Sequence, residues 1–410
     1  MKNKTSPTIL IPNATSPRNI GDLAMLESLI GLIKSGRKNA DIRIQSIDPH
    51  LYSNKDYKIS DTLYGWSVLS ISNPFIRTFR LLLLLLTYVA FRVKLNITPL
   101  LSAALQGIME DYQSADKIIF AGGGYLRSKK GLKQSLNLCM QLVPFIFSKL
   151  FGAKRIVAPI SFGPFAYTWQ EKFAANLLKD FDVVTVREDI SFKILEKYQI
   201  RNLILSTDHA LLLKRNFHTK QLHTHKRFTL GFTIRNWGSS EEQQKLEDAI
   251  VNSIETVSKS MELQVQPIVQ VDAPQYGDED EKVTRRIVQD LIERGIKVLP
   301  IIINHSLSNA LKTYASIDLL IGMRMHSNIL SALQGVPFIG IAYEHKTRGI
   351  ARQLNHEKYV IDGQHVNHKI LSSLILTVKN QYKKVVAVMT QALLGIQEKE
   401  IKRWQMILAR

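Results

Sequence analysis

The chain has 410 residues, 45% of them apolar and 22% charged, proportions of an ordinary globular protein with room for two full cores. Its one cysteine, Cys139, excludes internal disulfides and fits a reducing compartment, where it reads as a small buried hydrophobe. The net charge of +19 calls for an anionic partner, and the lack of zinc-finger spacing, an RNP-type aromatic motif or a lysine-rich tail argues against nucleic acid.

The amino terminus, "MKNKTSPTILIPNATSP", is basic but lacks the apolar run of a signal peptide, so a cytosolic protein is expected. The glycosylation sequons at Asn13, Asn96 and Asn304 then have no meaning. Along the chain, short apolar runs alternate with stretches of helical periodicity, the pattern of a parallel α/β sheet. The strand candidates are "TILIP", "IRIQSI", "KIIFAG", "RIVAPIS", "VVTVRE" and "NLILS" in the first half. In the second they are "FTLGFTI", "QVQPIVQV", "KVLPIII", "DLLIGM" and "FIGIAY". Two Rossmann-like domains are expected, over residues 1–212 and 229–378, joined by a basic linker at 213–228. His218, His223 and His225 in that linker lack the carboxylate or cysteine that would complete a metal site. Residues 379–410 read as one long amphipathic helix, of a kind that often crosses back to hold two such halves around a cleft.

"FRLLLLLLTYVAF", residues 79–91, breaks the pattern: it is almost wholly apolar and flanked by Arg77, Arg80, Arg92 and Lys94. It is too short to span a bilayer, which takes about 20 residues. Two readings stand, a buried helix or a helix in the interface of an anionic membrane. "GDEDE", residues 277–281, reads as a solvated acidic loop opening a helix.

Several strand ends carry polar turns. In "NIGDLAML", Gly21 allows close backbone approach and Asp22 is placed to cap a helix. In "FAGGGYL", Gly122, Gly123 and Gly124 let backbone amides converge on an anion or a sugar hydroxyl, or simply make a flexible turn. Gly163-Pro164 in "SFGPF" marks a rigid turn. Arg187 follows a strand directly, aimed at a ligand or paired with Glu188 or Asp189 on the surface.

The sharpest signal is "GMRMHS". Arg324 can fork two hydrogen bonds onto a phosphate or carboxylate. His326, at a helix amino terminus, is suited to proton transfer: the dipole should lower its pKa, and a bound anion would raise it again. Lys346, at the next strand end, adds a third cation, and Glu344 a candidate base or hydroxyl anchor. Together they fit a small, strongly anionic substrate.

Taken in order, "NIGDLAM", "AGGGYL", "ISFGPF", "VREDISFKIL", "TDHALLL", "GFTIRNW", "YASIDLLIGMRMHS" and "GVPFIGIAYEHKTRGIARQL" resemble the polysaccharide pyruvyl transferase family. The resemblance covers about residues 13–355, and its most specific part is the block from "GMRMHS" to Lys346. It implies two domains like those of B-type glycosyltransferases, the second on the phosphoenolpyruvate side. It also implies transfer of the enolpyruvyl group to a sugar as a cyclic ketal, with phosphoenolpyruvate as co-substrate and neither cofactor nor metal. Arg187, Arg324, His326 and Lys346 carry over as site residues, His326 as the acid/base group. Asn19, Asp22, Gly122, Gly123, Gly124 and Glu344 are candidates for acceptor binding. The acceptor is expected to be a surface-polysaccharide sugar, free or lipid-linked, and the enzyme cytosolic or peripheral at the inner membrane face. Two rivals stand beside this reading: a nucleotide-sugar glycosyltransferase of the same architecture, and a non-catalytic membrane-associated component of polysaccharide assembly.

Overall fold

The structure is a computed structural model that describes residues 6–52, 57–69, 73–214, 227–274 and 278–409. Two compact units divide the chain. Met1–Pro17, Met25–His209 and Arg403–Arg410 form the first, and Arg18–Ala24 with Ala210–Lys402 form the second. His218, His223 and His225 lie outside the described residues.

The first unit is built on strands β1 (Thr8–Ala14), β2 (Asp41–Ser46), β3 (Lys58–Asp61), β4 (Lys117–Phe120), β5 (Gly123–Leu126), β6 (Lys154–Phe162), β7 (Val183–Val186) and β8 (Leu203–Leu205). All pair in parallel, in the order β3-β2-β1-β4-β6-β7-β8, with β5 added on β6. Helices α1 (Ile20–Gly36), α2 (Pro74–Arg92), α3 (Ala103–Ser114), α4 (Leu132–Ser148), α5 (Thr168–Leu178) and α6 (Asp189–Glu196) alternate with the strands. Strands covered on both faces read as unbroken apolar runs, which is why β4 and β7 are buried at every position. Phe120 of β4 stacks on Phe145 of α4, ring centroids 3.9 Å apart, at the centre of this core.

The second unit holds β9 (Phe228–Thr233), β10 (Leu263–Val269), the short antiparallel ribbon of β11 (Asp272–Ala273) and β12 (Asp278–Glu279), β13 (Ile302–Ile303), β14 (Leu319–Gly322), β15 (Phe338–Ala342) and β16 (Val360–Asp362). Its main sheet is parallel in the order β13-β10-β9-β14-β15-β16. The helices are α7 (Ser240–Ser258), α8 (Glu281–Glu293), α9 (Leu307–Ser316), α10 (Met325–Leu333), α11 (His345–Gln353), α12 (His368–Asn380) and α13 (Tyr382–Ala409). Ser239 and Glu242 close a capping box on α7, satisfying two of the amide groups that a helix start leaves open. The last residues of α13 belong to the first unit, where Trp404 is fully buried and Arg403 donates to the Leu205 carbonyl at 2.8 Å.

Every expected strand is present. "KVLPIII" yields only Ile302–Ile303, because Pro300 has no N–H to donate and ladder pairing resumes beyond it. Strands β3, β5, β11, β12 and β16 are additional; each is short, and "KISD" and "GGYL" lack the apolar composition that marks a strand.

Helix α2 contains the apolar run. Leu84 and Thr87 are buried and Leu83, Tyr88 and Phe91 pack against the core, so one side belongs to the first unit. The other side is exposed. Arg80 does not flank the run as a solvated cation: it donates to the Trp66 carbonyl at 2.6 Å with its guanidinium over the Trp66 ring. Among the described residues, no helix is long and apolar enough to cross a membrane.

Candidate functional site

The carboxyl ends of β9, β14 and β15, three consecutive strands of the second unit, converge in chemistry. Arg235 follows β9, Arg324 and His326 follow β14, and Tyr343, Glu344 and Lys346 follow β15. In an open parallel sheet this edge is where ligands bind, since the chain there turns from strand to helix and exposes helix amino termini.

Arg324 occupies the N-cap position of α10 and is almost fully buried. Its Nε lies 3.0 and 3.2 Å from the two carboxylate oxygens of Asp280, and its Nη2 2.5 Å from Oδ1. Asp280 is 0% exposed and also accepts the Val271 amide. The acidic loop expected to be solvated therefore supplies a buried counter-ion. A buried guanidinium needs such a partner, because an uncompensated charge in the core is too costly to keep.

His326 is the second residue of α10 and is half-buried. The first turn of α1, which belongs to the same unit, packs directly on its ring. A Cβ built on Gly21 would lie 2.1 Å from His326 Nδ1 and 2.6 Å from its Cβ, so only glycine fits. The turn is shaped by Asn19: its Oδ1 accepts from the amides of Gly21 and Asp22 at 3.1 and 3.5 Å, and its Nδ2 donates to Asp22 Oδ2 at 3.0 Å. Asn19, not Asp22, caps α1. Its backbone also bridges Val271, which ties this turn to the segment that carries Asp280.

A second close approach fixes the α10 turn from below. A Cβ on Gly322 would lie 1.8 Å from Asn328 Oδ1, and Asn328 donates to the Gly322 carbonyl at 3.2 Å. Ser327 adds contacts to Thr233 at 2.7 Å and to the Arg324 carbonyl at 2.6 Å.

Lys346 pairs with Glu344, Nζ to Oε2 2.6 Å, and its ammonium stands 5.9 Å from the Tyr343 ring centre. Arg235 lies over the same ring at 5.0 Å and donates to the Tyr343 hydroxyl at 3.0 Å. Tyr343 is thus a common platform for two cations. Sequence reasoning passed over Arg235 and Tyr343, although Arg235 sits two residues past a strand in "FTIRNW", just as Arg324 does in "LLIGMR".

Arg187 and the three glycines belong to the first unit. Arg187 is 3% exposed; it donates to Ser161 Oγ at 2.8 Å and pairs with the buried Asp208 at 2.6 Å, so it is a core cation and not part of a surface pair. A Cβ on Gly124 would stand 3.4 Å from Arg187 Nη2, so the glycine turn runs beside the guanidinium. Gly123–Leu126 form β5 rather than an open loop. A cavity of about 100 Å³ opens by the ends of β1, β2 and β3, with Asn13, Thr62, Tyr64, Tyr125 and Gln141 in its wall. Each unit thus holds a buried Arg–Asp pair at a strand end. Among the described residues, no group of three His, Cys, Asp or Glu side chains is placed to hold a metal ion.

A family model described as polysaccharide pyruvyl transferase matches residues 19–345. Among solved structures, the chain is similar to a putative UDP-N-acetylglucosamine 2-epimerase from Listeria monocytogenes, at TM-score 0.56 and 9% identity over 94% of this chain and 91% of that one. It is similar to sucrose-phosphate synthase from Thermosynechococcus elongatus, at TM-score 0.56 and 11% identity over 98% and 97%. A UDP-GlcNAc 2-epimerase from Methanocaldococcus jannaschii follows at TM-score 0.51 and 12% identity, over 92% of each chain. At such identities these likenesses concern the fold, which is that of the B-type glycosyltransferases.

Proposed function

The chain belongs to the polysaccharide pyruvyl transferase family, and on that premise we propose that it moves the enolpyruvyl group of phosphoenolpyruvate onto a sugar, forming a pyruvate ketal. The acceptor in this reading is a residue of a surface polysaccharide or of its lipid-linked precursor, met in the cytosol.

The observation that carries the proposal is the cluster of Arg235, Arg324, His326 and Lys346 at three consecutive strand ends. Phosphoenolpyruvate brings a phosphate and a carboxylate, and guanidinium and ammonium groups are their natural partners. Arg235 and Lys346, held on the Tyr343 ring, are the cations placed at the site's edge; Arg324, locked by Asp280, sets the turn on which His326 stands.

The reaction balances without a further cofactor. His326 donates a proton to the methylene carbon of phosphoenolpyruvate, which leaves an oxocarbenium-like C2. One sugar hydroxyl adds to C2 and loses its proton to a base. A second hydroxyl then displaces inorganic phosphate, loses its own proton, and closes the ketal. For the acceptor, Asn19, Asp22 and Glu344 of the second unit are the polar groups proposed for its hydroxyls.

The test is incubation of the purified protein with phosphoenolpyruvate or a UDP-sugar and a panel of sugar acceptors. Release of inorganic phosphate together with a ketal methyl signal in the proton NMR spectrum is expected. Release of UDP, with no turnover of phosphoenolpyruvate, would replace this reading by sugar transfer. His326→Ala should lower turnover by about a hundredfold or more while leaving the melting transition near that of the wild type. Near-normal turnover in that variant removes His326 from the chemistry.

A further inference from the structure

Phe75, Phe79, Leu82, Leu86, Val89 and Val93 recur at steps of three and four along α2 and its end, and so form one stripe. They are 84%, 64%, 56%, 64%, 49% and 68% exposed. The opposite side of the helix is anchored in the first unit, with Tyr88 on Phe147 at 5.8 Å and Phe91 on Phe151 at 5.5 Å. The helix is therefore fixed in place while its apolar face stays in water. Soluble proteins seldom leave so continuous a stripe uncovered without a use for it.

Charge decides what covers it. Residues 62–109 contain no Asp or Glu at all, and residues 62–170 carry twelve Lys and Arg against three acidic residues. Arg92 and Lys94 are exposed at the end of the stripe. On α4 of the same unit, exposed Leu132 and Leu136 stand among exposed Lys129, Lys130 and Lys133. A second copy of this chain would bring the same positive surface and be repelled, whereas lipid phosphates supply the missing charge and acyl chains the missing apolar contact. We propose that α2 docks in the headgroup–acyl boundary of an anionic membrane, apolar stripe inward. Lying in the plane suits a helix of 19 residues that does not cross. This goes beyond the transfer reaction and does not depend on which donor is used.

The experiment is co-sedimentation of the full chain with phosphatidylcholine vesicles, with and without phosphatidylglycerol. Binding is expected to the anionic vesicles and to weaken at high salt, as screening shortens the reach of the cations. Phe79→Gln/Leu82→Gln/Leu86→Gln should lower partitioning by about tenfold or more with an unchanged melt, because these side chains touch water and not the core. Arg92→Gln/Lys94→Gln should cost about fivefold per charge, on anionic vesicles alone. Should the triple variant melt early, Leu86→Gln and the charge variant carry the test. The proposal is overturned by wild-type protein that ignores anionic vesicles, or by full binding of the stripe variants. A lipid-free dimer that the stripe substitutions convert to monomer also overturns it, since a second copy would then cover the face.

Discussion

Gly21 and His326, 305 positions apart in the sequence, are in contact so close that there is no room for a single methyl group between them. The added carbon would lie 2.1 Å from Nδ1 and 2.6 Å from the histidine Cβ, so turning the ring does not relieve it. Either the first turn of α1 or that of α10 must move. Gly21→Ala should therefore cut turnover at least tenfold through a displaced His326, and cost about 1–3 kcal/mol in stability as an overpacked contact. Alanine normally favours a helix over glycine, so a plain helix-propensity effect has the opposite sign. Turnover and urea midpoints measured together decide it: wild-type activity in Gly21→Ala would mean the imidazole's position is immaterial.

Asp280 holds Arg324 through both carboxylate oxygens, and the two are buried together. Asp280→Ala leaves a buried guanidinium without its counter-charge and should destabilise the second unit by about 3–5 kcal/mol. Arg324→Lys should fare nearly as badly as Arg324→Ala, because one ammonium cannot span both oxygens as the planar fork does. An Arg324 whose sole task is to grip the donor predicts otherwise: Asp280→Ala would then melt normally and lower the KM for phosphoenolpyruvate. Thermal melts and donor KM values of the three variants separate the cases.

Acid should weaken both units through histidines outside the proposed site. His209 is wholly buried against Trp404, neither ring nitrogen has a hydrogen-bond partner among the described residues, and burial pulls its pKa down to about 3 despite the nearby Asp208. His356 is buried too; burial brings it to about 4, although its Nε2 donates to the Phe338 carbonyl at 2.7 Å. Both values lie below the 6.5 of an unfolded histidine, so between pH 6.5 and about 4 the unfolded chain binds protons that the folded chain refuses. Stability is then full above pH 6.5 and falls with pH. By pH 5 each histidine should account for about 2 kcal/mol. Urea midpoints at pH 7.5 and 5 should differ less in His209→Gln and His356→Gln than in the wild type; parallel profiles would count against these side chains.

The order of strands and helices was written in local pattern, as apolar runs of four to eight residues separated by helical periodicity. The placement of Arg187, Arg324, His326 and Lys346 just past strands followed from the same pattern, since a residue's distance from its own strand end is a matter of counting. Arg235 was equally countable, and only the mildness of "FTIRNW" beside "GMRMHS" hid it.

The partners of those residues were not countable. Asp280 stands 44 positions from Arg324 and Asp208 stands 21 from Arg187, each in a polar run that looks solvated on its own. No local rule tells a surface carboxylate from a buried one, because burial is decided by what the rest of the chain lays over it. Helix α2 shows the same limit from the apolar side. Its composition served a core helix and a membrane-facing one equally, and Leu84 inward with Phe79 and Leu86 outward was settled when one side met the first unit's core and the other was left exposed. Thus the sequence alone determined the parallel α/β class, the strand ends and the cations upon them. Which of those cations carry a buried counter-ion, and which apolar face stays exposed, only tertiary packing decided, because both depend on contacts between segments far apart in the chain.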